Sequence, residues 1–179
     1  MENDIKEILI TEEQIKARTK ELGELITEKY RGKDLVVIGV LKGCVMFLSD
    51  LVREIKLPLT MDFMVVSSYG TSTKSSGVVR IIKDLEKDIQ GKDVLIIEDI
   101  VDSGLTLSYL MEYLKSRNAN SVSVCSLLDK PERRKAQVDI DYIGFTIPDE
   151  FVIGYGLDYA EVYRNLPYVC VLKPEVYTK

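Results

Sequence analysis

The stretch from Val94 to Thr106, VLIIEDIVDSGLT, constrains the fold more than any other part of the chain. It begins as an unbroken run of Val, Leu and Ile, which is typical of a strand buried on both faces of a sheet. Helical spacing follows over 105–114, so Ser103-Gly104 lies at a strand-to-helix turn, where backbone amides bind phosphate well. The same place carries three carboxylates: Glu98, Asp99 and Asp102. The stretch therefore predicts a ligand with a phosphate at one end and a sugar diol or metal ion at the other.

Strands and helices alternate along most of the chain, which predicts an α/β fold with a mainly parallel central sheet flanked by helices. The first helix begins at a capping box, Thr11-x-x-Gln14, and we expect it to run to about Tyr30. Apolar residues at roughly helical spacing should face the core: Ile15, Leu22, Leu25 and Ile26. Alternation stops after residue 140, so we expect a small irregular hood lobe there, within a single domain spanning 1–179.

Three polar segments follow predicted buried strands at the points where those strands end. They are Lys42-Gly43, residues 98–106 and Asp129-Lys130. In an open parallel sheet, ligands bind beyond the carboxyl ends of the strands, where the strand order reverses. We therefore expect the three segments to meet in one crevice.

Composition excludes several classes of function. The net charge of −5 gives no general reason to bind nucleic acid, and no apolar run is long enough to span a membrane. The acidic start, residues 1–4, is unlike a signal peptide, so we expect a cytoplasmic protein. The absence of histidine excludes a Ser-His-Asp triad, a Cys-His pair and the HExxH zinc motif. The widely spaced Cys44, Cys125 and Cys170 are expected to be buried thiols.

The motif Glu-Asp-Ile-Val-Asp-Ser-Gly-x-Thr at 98–106 resembles that of the type I phosphoribosyltransferases, which bind 5-phosphoribosyl pyrophosphate. A second match, FVIGYGLD at 151–158, narrows the resemblance to the hypoxanthine-guanine phosphoribosyltransferases, over residues 35–171. This resemblance implies transfer of the phosphoribosyl group to N9 of hypoxanthine or guanine, giving IMP or GMP and pyrophosphate. It also implies Mg²⁺ as cofactor and a homo-oligomer, either a dimer or a tetramer.

The resemblance assigns a role to each candidate site residue. Asp102 would be the catalytic acid–base group at N7 of the purine. The phosphoribosyl group would be held by Glu98, Asp99, Asp102, Ser103, Gly104, Leu105 and Thr106. Pyrophosphate would meet Lys42, Gly43, Ser68, Tyr69 and Arg164, with a peptide before Lys42 that is often cis in the family. The purine would meet Lys130, Phe151, Val152 and Asp158, and the metal ligands would be Glu98, Asp99 and Asp158.

Two departures from the family pattern are mild. Ser103 replaces the threonine common in relatives and keeps the hydroxyl, whereas Leu105 stands where some members carry lysine, so a charge contact is lost there. The polar segment 68–77 is long for a hairpin loop, and both a mobile lid over the reaction centre and an ordinary surface loop remain open.

Three alternative functions remain open from the sequence. One is a phosphoribosyltransferase that prefers xanthine. Another is a regulatory protein that senses phosphoribosyl pyrophosphate without catalysis, although no added nucleic-acid-binding region is evident. A third is a phosphoacceptor receiver domain, which the chain length, the long polar loop and the segment 151–158 fit poorly.

Overall fold

The computed structural model describes residues 1–68 and 79–178, and of Ser68 it describes the backbone alone. In these ranges the strands are β1 (Ile5–Ile10), β2 (Leu35–Leu41), β3 (Leu59–Ser68), β4 (Val79–Lys83), β5 (Asp93–Val101), β6 (Ser121–Asp129), β7 (Tyr142–Thr146), β8 (Val152–Ile153) and β9 (Val169–Leu172). The helices are α1 (Glu12–Lys29), α2 (Val45–Glu54), α3 (Leu105–Ser116) and α4 (Pro174–Tyr177). Tyr69 and the rest of the predicted polar loop lie outside the described residues.

Six strands form one sheet in the order β4-β3-β2-β5-β6-β7. Every neighbouring pair is parallel except β3 and β4, which pair antiparallel at one edge. The predicted α/β fold with a mainly parallel sheet is therefore confirmed. The chain moves outward from β2 to β3 and β4, then returns to the other side of β2 as β5. The strand order consequently reverses between β2 and β5, which is the place where open α/β sheets bind ligands.

Helices cover the sheet through two clusters of buried apolar side chains. One cluster includes Ile26 of α1 together with Phe47 and Leu51 of α2. The other includes Leu110 and Leu114 of α3. Because both faces of β2 and β5 are buried in this way, only the strand ends can present polar groups to a ligand. Within the described ranges, no helix has the length and hydrophobicity needed to cross a bilayer.

Helix α1 confirms the capping box and corrects one expected core residue. Thr11 Oγ1 accepts the amide of Gln14 at 3.2 Å, and Gln14 Oε1 accepts the amide of Thr11 at 2.8 Å. The prediction that Leu25 faces the core is wrong, because its side chain is 53% exposed. The buried stripe contains Ile15, Leu22 and Ile26 as predicted. Leu25 precedes Ile26 by one residue, a rotation of about 100° around the helix, and so leaves the stripe.

A second sheet forms the hood lobe, with strands in the order β1-β9-β8 and both pairs antiparallel. One expectation is corrected here. The lobe begins later than residue 140, since β7 pairs in parallel with β6 and extends the main sheet. The N-terminal strand β1 belongs to the hood, with Ile5 opposite Leu172. Local sequence pattern could not predict a pairing between the two ends of the chain.

The hood packs against the main sheet through a close contact between two glycines, Gly156 and Gly43. A Cβ on Gly156 would lie 2.0 Å from the carbonyl oxygen of Gly43, and Gly156 has φ +101, which side chains rarely adopt. Next to it, the hydroxyl of Tyr155 donates to Asp50 Oδ2 of α2 at 2.5 Å. The hood turn therefore lies directly against the turn after β2, at the carboxyl ends of the strands.

Replacing Gly156 by Ala should destabilise the protein far more than replacing Gly32 by Ala. Both glycines have positive φ, but nothing lies within 4 Å of a Cβ at Gly32. Gly32→Ala should cost about 1–2 kcal/mol from the left-handed backbone alone. Gly156→Ala should cost about 1–3 kcal/mol more from overlap with Gly43. Urea denaturation measures both free energies of unfolding, and equal losses would show that the hood does not need this contact.

Candidate active site

The turn after β2 lies against the end of β5. The peptide bond between Leu41 and Lys42 is cis, as the resemblance implies. A Cβ on Gly43 would lie 1.6 Å from Asp99 Oδ2, so only glycine leaves room for that carboxylate. The structure thus brings the predicted segments Lys42-Gly43 and Glu98-Asp99 together at the point where the strand order reverses.

Glu98 and Asp99 form a desolvated pair of carboxylates at the end of β5. Burial raises the pKa of Glu98 well above its ordinary value, and the charge of Asp99 raises it further. Burial also raises the pKa of Asp99 to about 6, although the amide of Ile100, which donates to Asp99 Oδ1 at 2.8 Å, opposes the shift. In the described part of the chain, neither carboxylate forms an ion pair with Lys or Arg. Buried acids without a cation are costly, so this pair is suited to receiving one.

The carboxylate oxygens of this pair are suitable ligands for Mg²⁺, but they would fill only part of its coordination sphere. Among the described residues, no three side chains of His, Cys, Asp or Glu converge as a ready-made metal cage. Asp158, predicted as a ligand, does not join Glu98 and Asp99 in such a group. Its Oδ1 lies 2.9 Å from Arg164 Nη2 instead. Since Mg²⁺ usually binds one or two carboxylates and keeps waters or substrate oxygens, two acids suffice to hold it.

A cavity of about 200 Å³ opens between the end of β5 and the start of α3. Predicted residues line it together with neighbouring apolar groups: Glu98, Asp102, Ser103, Gly104 and Thr106. Gly104 has φ +78 and is the residue before α3, so the first amides of that helix open next to the cavity. Leu105 begins α3 but does not line the cavity. The lining residues thus include two with carboxylate side chains and two with hydroxyl side chains.

The segment after β6 is tied to the same turn. The amides of Lys135 and Ala136 donate to the carbonyl of Ser103 at 2.8 and 3.1 Å. Arg134 Nε donates to the carbonyl of Asp102 at 3.2 Å, and its other end forms an ion pair with Asp129. These bonds bring the Lys130 segment and the 102–104 turn together.

Lys130 is almost fully buried, with 6% of its surface exposed. Its ammonium lies 3.7 Å from Asp149 Oδ1. The same carboxylate oxygen lies 3.4 Å from Arg133 Nη1, and Arg133 Nε lies 3.0 Å from Asp102 Oδ1. Sequence analysis missed Arg133 and Asp149. The run of charges directly after the end of β6 was the one signal that could have found the arginine.

Phe151 lies two residues beyond Asp149 in the hood. One of its faces is stacked on Tyr177, with ring centroids 4.8 Å apart and planes at 21°. The ring of Tyr159 meets it edge-on at 5.8 Å. The side chain is 37% exposed, whereas Val152 is buried and pairs with Val171. One face of Phe151 therefore packs within the hood.

Arg164 connects the hood turn to the carboxylates. Its Nη1 donates to the carbonyl of Gly156 at 2.8 Å, and its positive charge opposes the rise in the pKa of Asp99. Glu161, which the sequence did not single out, engages two predicted site cations. Its Oε2 lies 2.8 Å from Lys42 Nζ and its Oε1 lies 3.3 Å from Arg164 Nη2. The hydrogen bond from Lys42 lowers the pKa of Glu161.

The model of the phosphoribosyl transferase domain family matches residues 4–160. The hypoxanthine-guanine phosphoribosyltransferase of Bacillus subtilis is 57% identical over 177 residues, covering 99% of this chain and 98% of that protein. The chain belongs to the hypoxanthine-guanine phosphoribosyltransferase family. This result excludes the receiver-domain alternative, because the fold and the motifs at 98–106 and 151–158 are accounted for together.

Solved structures and longer proteins extend the comparison. A crystal structure of the hypoxanthine phosphoribosyltransferase of Staphylococcus aureus superposes with a TM-score of 0.97 and 57% identity, covering 100% of this chain and 97% of that one. The bifunctional protein TilS/HprT of Listeria innocua is 55% identical over all 179 residues. The chain spans 28% of the length of that relative.

Replacing Asp99 by Asn should stabilise the protein at neutral pH without Mg²⁺. With a folded pKa of about 6, Asp99 binds its proton more tightly than in the unfolded chain. Stability is therefore lost as pH rises from about 4 to 6, by up to roughly 3 kcal/mol. Asn keeps the acceptor for Ile100 and has no charge to bury. Urea denaturation at pH 4, 6 and 8 should show an advantage for Asp99→Asn that grows with pH.

The exposed Asp139 provides the matched control, since Asp139→Asn removes a charge of the same kind from the surface. Its unfolding free energy should follow the parent at all three pH values. An Asp99→Asn variant with no pH-dependent advantage would show that burial of this carboxylate is not costly.

Proposed function

We propose that the chain transfers the 5-phosphoribosyl group from phosphoribosyl pyrophosphate to N9 of hypoxanthine or guanine. The products are IMP or GMP and pyrophosphate. The observation that carries the proposal is the convergence of the carboxylate pair, the 102–106 turn and the buried Lys130 at one edge of the sheet. Residues 1–179 would act as one domain, and a homo-oligomer remains a prediction. The buried free thiols of Cys44, Cys125 and Cys170 support a reducing compartment such as the cytoplasm.

The phosphoribosyl group would bind along the end of β5 and the start of α3. Its 5-phosphate would accept hydrogen bonds from the turn that contains Ser103, Gly104, Leu105 and Thr106. Glu98 and Asp99 would hold the ribose hydroxyls and a Mg²⁺ ion, and Asp158 would contact a second one. Bound Mg²⁺ would supply positive charge that stabilises the leaving pyrophosphate. The burial of Glu98 and Asp99 supports this role. Their ionised forms have lost hydrating water, so a ligand that replaces this water stabilises them strongly.

Pyrophosphate would lie on the side of the crevice formed by Lys42, Gly43 and Arg164. The contact of Gly43 with Asp99 supports this assignment, because the carboxylates that would hold Mg²⁺ lie next to this side. The guanidinium of Arg164 suits an array of phosphate oxygens because it donates in a planar fork. Ser68 and Tyr69 would complete this side, and their assignment rests on the resemblance alone.

The purine would bind between the turn and the hood. The ammonium of Lys130 has three donors and no acceptor, so it favours the 6-oxo group over an amino group. Phe151 would stack on the base, with Tyr177 fixing its other face, and Val152 would offer its backbone to the exocyclic edge. As the C1–oxygen bond breaks, pyrophosphate leaves with the electron pair and N9 bonds to C1. The proton at N7 then passes to Asp102.

A spectrophotometric panel with phosphoribosyl pyrophosphate, Mg²⁺ and four purines tests the proposal. Hypoxanthine and guanine should be consumed with release of pyrophosphate, xanthine should react poorly and adenine should not react. A preference for adenine would show that Lys130 does not read the 6-oxo group. A preference for xanthine would support the alternative of a xanthine phosphoribosyltransferase. Absence of pyrophosphate release with every purine would overturn the catalytic proposal and favour a sensor.

Replacing Asp102 by Ala should lower kcat by about 10²–10⁴-fold, because general acid–base assistance contributes on that order. The fold should remain intact, since the side chain of Asp102 is 43% exposed and lies at a turn. Steady-state kinetics with hypoxanthine measures the loss, and the unfolding midpoint in urea provides the control. Nearly full activity in this variant would show that Asp102 does not receive the N7 proton.

Replacing Glu161 by Gln should tighten binding of phosphoribosyl pyrophosphate. Glu161 occupies both Lys42 and Arg164, which the donor would have to take over. Since exposed ion pairs contribute at most about 1 kcal/mol, the KM for the donor should fall by roughly 2–5-fold. Glu112→Gln is the matched control, because Glu112 pairs with Lys115 on α3 at 3.8 Å. A KM that rises or stays constant would mean that Glu161 does not compete with the donor.

A further inference from the structure

Four side chains of alternating charge form a line from the turn after β5 to the end of β6. Asp102 Oδ1 lies 3.0 Å from Arg133 Nε, and Arg133 Nη1 lies 3.4 Å from Asp149 Oδ1. That same oxygen of Asp149 lies 3.7 Å from Lys130 Nζ. The two ends of the line are the groups that the proposed function places at N7 and O6 of the purine. Its two middle members, Arg133 and Asp149, have no role in that proposal.

The backbone around Arg133 is fixed relative to the turn that carries Asp102. The amide of Lys130 donates to the carbonyl of Val101 at 3.0 Å, and the amide of Arg133 donates to the carbonyl of Lys130 at 3.2 Å. Beyond Arg133, the amides of residues 135 and 136 both donate to Ser103. Hydrogen bonds on each side of Arg133 therefore hold its backbone close to the turn.

The contact between Arg133 and Asp102 is electrostatic. Asp102 Oδ1 is buried and has no aligned hydrogen-bond donor among the described residues, although Arg133 Nε is 3.0 Å away. The side chain of Arg133 is 54% exposed. Exposed pairs of this kind add little to folding stability. The position of a planar guanidinium between two carboxylates is better explained by the geometry that it imposes on them.

That geometry matters because O6 and N7 are adjacent on the same edge of a 6-oxopurine. A group that donates to O6 and a group that accepts the N7 proton must keep a fixed spacing to act on one base. Lys130 is buried at the end of β6, whereas Asp102 lies on a turn and is 43% exposed. Asp102 is therefore the member of the pair that needs an external restraint.

We propose that Arg133, held by Asp149, is a positioning residue that keeps the Asp102 carboxylate in register with the Lys130 ammonium along the purine edge. The inference rests on the proposed function. Arg133 touches neither the donor nor the reacting atoms in this arrangement. Its loss should therefore lower kcat and leave the KM for phosphoribosyl pyrophosphate unchanged.

The test compares Arg133→Gln, Arg133→Lys and Asp149→Asn in the intact chain, with hypoxanthine as the base. Arg133→Gln should lower kcat by about 10–100-fold, since small displacements of a catalytic group have effects of that size. Arg133→Lys should lower kcat less than Arg133→Gln does, because lysine keeps the positive charge but lacks the planar, forked guanidinium. Asp149→Asn should show a smaller loss in the same direction. Arg31→Gln is the control, since Arg31 forms an ion pair with Glu28 on the surface.

A double variant separates positioning from a merely structural effect. If Arg133 acts through Asp102, adding Arg133→Gln to Asp102→Ala should cause no further loss of kcat. A further loss equal to that in the parent would overturn the inference, and so would a raised KM for the donor. Full kcat in Arg133→Gln would also overturn it. If the parent itself releases no pyrophosphate with any purine, the proposed function fails instead, so the two failures are distinguishable.

Discussion

The arrangement of the site follows from the burial of two adjacent carboxylates. Helices cover both faces of β5, so Glu98 and Asp99 can reach a ligand only at the end of the strand. Burial raises the pKa of both, and in the described part of the chain no Lys or Arg forms an ion pair with either. A group in this position destabilises the fold until a cation or a hydrogen-bonding ligand replaces the lost water. The neighbouring Gly43 is required because Asp99 occupies the space of a side chain.

The central part of this design could be predicted from sequence because its signals are local. An unbroken apolar run gave the buried strand, a capping box gave the start of α1, and small residues after Asp102 gave the turn. The strand order and the glycine contact between positions 43 and 156 could only follow from the tertiary fold. The same is true of β1, whose partner β9 lies at the other end of the chain.

The site residues that sequence analysis missed share one physical property. Arg133, Asp149 and Glu161 each lie outside the α-helices and strands, where a charged residue is usually solvated and carries no periodic signal. Their significance comes from partners brought near by the fold: Asp102 and Lys130 on one side, Lys42 and Arg164 on the other. Leu25 shows the opposite error, since helical spacing alone placed an exposed residue in the core.

The two sides of the proposed crevice differ in how their ion pairs would respond to a ligand. On the side of Lys42 and Arg164, Glu161 pairs with both cations, so in the proposed function a phosphate ligand would exchange these ion pairs for its own contacts. On the side of Lys130, the carboxylate of Asp149 is shared with Arg133, and in the proposed function these pairs would be kept when a purine meets Lys130 and Asp102. Exchanging an ion pair for a ligand contact lowers the affinity for the ligand and makes that affinity depend on the ligand's charge. An ion pair that is kept fixes the positions of its side chains instead. A net charge of −5 is compatible with an anionic substrate, because the cations that would meet it, Lys42 and Arg164, lie together locally.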